Sequence, residues 1–205
     1  MVAFTFVVMP LGAARSADDA GAFLLAVGKD AVQQLRDESL SKIEREERFR
    51  VLLNEAVDLK AISRFVLGAN WRRASPQEQA DFQSALEEMA LQRFLPIFLR
   101  QDEAFDGDSF NIIEVRQSKK NPAHHFVVTK VGRDGGPDAK LTWRIGQKEE
   151  TFKILDISVE GISMALTLRE EFASAVRRYG GIQPMIKELQ KKIESGAFKP
   201  GRSVN

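Results

Sequence analysis

Cysteine is absent from this 205-residue chain, which excludes disulfides, thiolate metal sites and a cysteine nucleophile. Histidine is scarce, with two residues that stand side by side as His124 and His125. Neighbours on a strand point to opposite faces, so the pair cannot close on one metal without distortion. An excess of one charge is also missing. The 30 Lys+Arg nearly cancel 29 Asp+Glu, so the chain as a whole exerts no strong pull on nucleic acid or an acidic membrane, and only a local basic patch stays open. No internal apolar run is long enough to span a bilayer. Gly132-Arg133-Asp134-Gly135-Gly136 lacks the Lys-Ser/Thr ending and the following helix of a phosphate loop, and reads as a hairpin turn.

What is present begins at the N-terminus. Met1 to Ala14 is uncharged and mostly apolar, with Ala14 and Ser16 at −3 and −1 of a cleavage after Ser16. Residues 1–16 therefore read as a secretory signal peptide remnant, though no Lys or Arg precedes the apolar stretch; the competing reading is a buried N-terminal strand or helix. Residues 17–196 then form one domain, large enough for a single core, and 197–205 a loose tail.

The first half of the domain, 20–101, carries helical periodicity. Ala20 to Ser39 and Ile43 to Val57 are predicted helices, and Asp58 caps a short third that Gly68 ends. Ser75-Pro76-Gln77-Glu78 combines an N-cap, a first-turn proline and a capping box. The helix it opens closes with Phe94 to Leu99, apolar all round and therefore expected to be buried, with a bend at Pro96.

From 109 to 159 the period changes to two. Ser109–Arg116, His124–Val131, Lys140–Ile145 and Thr151–Val159 are predicted strands, with Leu141, Trp143 and Ile145 on one face and Leu155, Ile157 and Val159 lining another. Helices return over 163–195, broken at Gly180-Gly181. Helices, then an antiparallel meander, then helices make an α+β protein.

No catalytic constellation can be assembled. Asp156, Glu160 and Ser163 are the nearest to a hydrolytic set, but no G-x-S-x-G elbow surrounds Ser163, which fits better as a helix N-cap. The expectation is a protein that is not an enzyme, with an enzyme using Asp156 or Glu160 as base in an apolar pocket as the rival. No coiled-coil seam argues for an obligate assembly, so a monomer is expected. The abundant feature is apolar material near Phe65, Trp71, Phe94, Phe98 and Trp143.

Two stretches carry a resemblance: "RFVLGANWRRASPQEQADFQSAL", Arg64 to Leu86, and "LTWRI…FKILDISVEGISMALTLREEFASAVRRYGGIQPMIKEL". In order and spacing they resemble the toluene-tolerance, or MlaC-type, periplasmic phospholipid-binding proteins, over about residues 20 to 195. The resemblance implies a helical lobe on a strongly twisted four-stranded antiparallel sheet, akin to the nuclear-transport-factor-like roll, with an apolar cavity for acyl chains and the headgroup near solvent. It implies no cofactor and no metal, phospholipid as cargo, and a periplasmic route between an inner-membrane ABC transporter and an outer-membrane lipoprotein complex. A sister branch is tied to hopanoids, so a hopanoid or other polycyclic lipid is the alternative cargo. Pattern and motif position together nominate Phe65, Leu67, Trp71, Phe94, Phe98, Trp143, Ile157, Val159 and Met164 for the cavity wall, and Arg72, Arg144 and Lys153 for headgroup or partner contacts.

Overall fold

Two helices begin with the same local device. The computed structural model describes residues 17–99, 111–133 and 136–200. In it, helix α1 is Ala17–Leu35 and α2 Lys42–Ala56. At the start of α2, Ser41 Oγ accepts the Glu44 N–H at 3.3 Å while Glu44 Oε2 accepts the Ser41 N–H at 2.8 Å. Ser75 and Glu78 repeat this at 3.2 and 2.8 Å and open α4, Pro76–Phe98. Each box satisfies two N–H groups that helical bonding leaves over. Between them, Asp58 accepts the Ala61 N–H at 2.8 Å and starts α3, Leu59–Leu67.

The strands β1 Asn111–Gln117, β2 His124–Arg133, β3 Gly136–Lys148, β4 Thr151–Val159 and β5 Ile162–Ser163 form one antiparallel meander in chain order. The predicted start of β1 at Ser109 and the turn at Asp134-Gly135 lie outside the described residues. The sheet has five strands where the sequence suggested four. Glu160 and Gly161 both take positive φ, 50° and 85°, the signature of a two-residue turn that matches strand twist. The chain reverses so tightly there that Ile162 pairs with Val159 and Ser163 with Ser158.

A second correction concerns Leu155. Trp143 faces Ile157, but Ile145 faces Ile154, because the register slips between Arg144 and Ile145. One extra residue on β4 reverses the alternation beyond it. Ile154 and Phe152 therefore join Ile157 on the helix-facing side. Leu155, expected on that side, instead lies over Gly146, where an added Cβ would stand 2.6 Å from Leu155 Cδ1.

Helix α1 links the two halves of the molecule. Ala20 and Leu24 pack with Val127, Ile145, Phe152 and Ile154 of the sheet. Further along the same helix, Ala31 and Leu35 pack with Phe49, Leu91 and Leu95 of α2 and α4. A third cluster joins α3 and α4 to α5, Met164–Tyr179, and α6, Ile182–Glu194. At its centre Phe82 meets Phe172 edge to face, with centroids 5.1 Å apart. The chain remains attached past the last helix: Phe198 packs on this cluster and the Ala197 N–H donates to Lys192 O at 3.0 Å. The predicted tail thus holds on to the fold through an aromatic side chain as far as Phe198.

Candidate functional site

Four residues of α3 belong to one concavity. Leu59, Ser63, Val66 and Leu67 are buried and Ile62 packs on the helical core, while Lys60, Ala61, Arg64 and Phe65 line the concavity, with Lys60 and Arg64 one turn apart. Gly68 ends the helix by donating its N–H to Arg64 O, at φ 57° and ψ −124°. A side chain there would be strained, and its Cβ would stand 3.2 Å from Arg169 Nη2. A 3₁₀ turn, Gly68–Arg72, then presents Trp71 and Arg72. Gln79 of α4 fastens that turn, its Nε2 donating to Trp71 O at 2.9 Å and Ala74 O at 3.3 Å.

Arg169 reaches in from α5. Its Nη1 donates to Phe65 O at 3.3 Å, and its guanidinium carbon lies 5.0 Å from the Phe65 ring centroid. Arg144 of β3 lies 5.9 Å from the same ring, so two guanidiniums share the electron-rich faces of one phenyl ring. The result is a groove of about 750 Å³ with Phe65 and Trp71 half-buried in it and Lys60, Arg64, Arg72 and Arg169 exposed along it. Asp58 is the one carboxylate in the lining, and it already accepts the Ala61 N–H. Among the described residues, none of the four cations stands in an ion pair.

The residues nominated from sequence divide among several places. Phe65, Trp71 and Arg72 meet in the groove. Leu67 points into the helical core, and Phe94 and Phe98 pack beside Phe49 and Leu95. Trp143 and Ile157 face each other across β3 and β4 on the helix-facing side of the sheet. Trp143 Nε1–H donates to Thr129 Oγ1 at 3.0 Å. Val159 and Met164 are half-buried on either side of the hairpin that leads into α5. Of the nominated cations, Arg144 donates to Leu155 O at 3.4 Å. Lys153 Nζ donates to Asn54 O at 3.0 Å and also to Glu55 O, closing carbonyls at the C-terminal end of α2. The groove cations missed in sequence were Lys60, Arg64 and Arg169. The i, i+4 spacing of Lys60 and Arg64 was a usable signal, whereas nothing local connects them to Arg169.

The carboxylates that a catalytic reading would need are held by backbone N–H groups and, for Asp156, by the Ser163 hydroxyl as well. Asp156 Oδ2 accepts from Ser163 Oγ at 2.6 Å and Oδ1 from the Ala165 N–H at 2.9 Å, while Ser163 Oγ accepts the Leu166 N–H at 3.0 Å. Glu160 Oε1 accepts the Lys140 N–H at 2.9 Å. His125 is fully buried against Phe152. His124 lies on the other face, where burial holds its imidazole below the usual histidine range and the neighbouring Arg144 and His125 add to the effect. Among the described residues no three of His, Cys, Asp and Glu gather as a metal site, and no helix is long and apolar enough to cross a membrane.

Comparison with known proteins places this architecture. The phospholipid-binding protein from Ralstonia solanacearum, solved in complex with a phospholipid, matches with a TM-score of 0.71 over 86% of this chain and 97% of that one. Identity between the two is 16%, so the likeness is one of fold. Residues 26–191 match the MlaC protein family. That stretch is well over half of the 205 residues, and the chain belongs to the MlaC protein family.

Proposed function

We propose that this chain is a periplasmic lipid carrier that buries phospholipid acyl chains against the helix-facing side of its sheet. In this reading it shuttles them between an inner-membrane ABC transporter complex and an outer-membrane lipoprotein complex. Residues 1–16, which lie outside the described residues, serve as its export signal, and it works as a monomer without a cofactor. The observation that carries the reading is an apolar strip that the helices cover only in part. Leu141, Trp143, Ile157 and Val159 share one side of the sheet by register, yet each is only half-buried, while Val127 and Ile145 beside them are fully covered. Met164, unbranched and polarizable, stands beyond the hairpin and suits acyl chains of variable shape.

The magnitudes favour tails over headgroups. Burying a sixteen-carbon chain is worth on the order of 13 kcal/mol gross at ~0.8 kcal/mol per CH₂. A polar headgroup contact adds about 1 kcal/mol. The fold shared with a protein solved around a phospholipid supports the same cargo class. The engagement of Asp156 and Glu160 in capping and hairpin bonds rather than in an open acid–base pair supports a carrier over an enzyme.

The test is to express the chain in a bacterial periplasm, compare native with denatured mass spectra and identify the released molecule. A stoichiometric phospholipid is expected. A hopanoid, from a host that makes one, would move the protein to the polycyclic cargo. An empty protein that also takes up no labelled lipid would overturn the carrier reading.

A further inference from the structure

We propose that the groove between α3, the 3₁₀ turn and α5 is a phosphate-binding site, separate from the apolar strip of the sheet. Four cations line it beside a single carboxylate, Asp58, none of them in an ion pair among the described residues, and like charges held together repel. The chain's overall balance of 30 basic to 29 acidic residues makes this a local arrangement and not a consequence of composition. An anion entering the groove relieves the repulsion. Three of the four cations are arginines, whose planar forks match phosphate oxygens two at a time. Arg169 is already held by Phe65 O and the Phe65 ring, so it loses little freedom when it binds.

The aromatic part of the groove bears on what carries the phosphate. Trp71, with Ala61 and Ala69, offers apolar surface beside the cations, within about 750 Å³. A bare phosphate leaves that surface unused, whereas a lipid phosphate brings a glycerol and the roots of its acyl chains. Assigning the phosphate to a lipid rests on the carrier reading; the anion site itself does not.

The protein's two tryptophans report the two places independently, Trp71 in the groove and Trp143 on the sheet. The experiment follows their indole N–H cross-peaks in ¹⁵N-labelled protein. The additions are monomeric dihexanoyl-phosphatidylglycerol, inorganic phosphate, uncharged dihexanoylglycerol and a glutamate-rich peptide. Saturable movement of Trp71 with the phospholipid is expected, weakened about tenfold or more in Arg64→Gln/Arg72→Gln. Both arginine side chains are exposed and make no hydrogen bond or ion pair among the described residues, so that variant retains its fold. An equal response to inorganic phosphate sustains the site with free phosphate as ligand, and a weaker one assigns it to the lipid. Silence of Trp71 towards both phosphates, an equal response to dihexanoylglycerol, or binding of the peptide alone would overturn the proposal. Movement of Trp143 without Trp71 removes the groove and leaves the carrier reading. Movement of Trp71 without Trp143 does the reverse.

Discussion

Asp156 and Ser163 are joined across the β4–β5 hairpin by a 2.6 Å hydrogen bond from the Ser163 hydroxyl to the carboxylate. The other oxygen of Asp156 takes the Ala165 N–H, so a strand residue holds the first turn of α5. This explains why a strand gives way to a helix within Ser158–Phe172. The elbow aims α5, and with it Arg169, at the end of α3.

Ser163→Ala should therefore cost about 1 kcal/mol of stability as a lost cap. Asp156→Ala should cost about 1–3 kcal/mol, since it strands two donors. Urea unfolding of both single variants and the double variant should show a coupling of at least about 0.5 kcal/mol. Strict additivity would mean that the two residues act separately.

Gly68→Ala should destabilise by about 1–3 kcal/mol, because φ 57° with ψ −124° is a strained conformation for any side chain. The added methyl also presses on Arg169, so Arg169→Ala should restore part of the loss. An unchanged melting temperature in Gly68→Ala would contradict the geometry of the α3 terminus.

For the cargo, Met164→Lys and Trp143→Glu should leave the circular dichroism spectrum folded and empty the purified protein of lipid. A charge on the strip opposes about 0.8 kcal/mol of burial for every CH₂ that it displaces. Full lipid occupancy in both variants would move the cargo elsewhere.

Lys153→Gln separates a structural from a ligand role. The ammonium sits on carbonyls of Asn54 and Glu55, and its loss should cost about 0.3–1 kcal/mol through the end of α2. Lipid occupancy should not change. A fall in occupancy at unchanged stability would return Lys153 to the headgroup.

His124 sets a pH dependence. Its folded pKa lies below the ordinary 6.5, so the unfolded chain binds the proton more readily. Its stabilising contribution is fully present above the unfolded value and is lost as pH falls below it towards the folded pKa. Melting temperatures measured downward from neutral pH should decline in that window, and the decline should be shallower in His124→Gln.

Local codes in this chain were legible because they act over a few residues. Ser75, Pro76 and Glu78 foretell the start of α4, and Asp58 and Gly68 bracket α3, since capping needs only neighbours in sequence. Thr151–Val159 is the predicted strand without change. Leu155 was misplaced for the opposite reason. A bulge is a property of two paired strands, and only β3 running beside β4 shows that one residue is extra.

The sequence alone determined the α+β order, the caps, the resemblance to a lipid-binding family and the scarcity of groups for catalysis, all of which follow from spacing and residue type. Tertiary structure alone decided which residues share a site. Leu67 and Phe65 are two apart in the chain, yet one enters the core and the other lines the groove, because helical phase turns them to different sides. Arg64 and Arg169 are far apart in sequence, and both line the same groove. That meeting depends on the Asp156–Ser163 anchor and on the packing of α3 against α5, a long-range arrangement that no local pattern encodes.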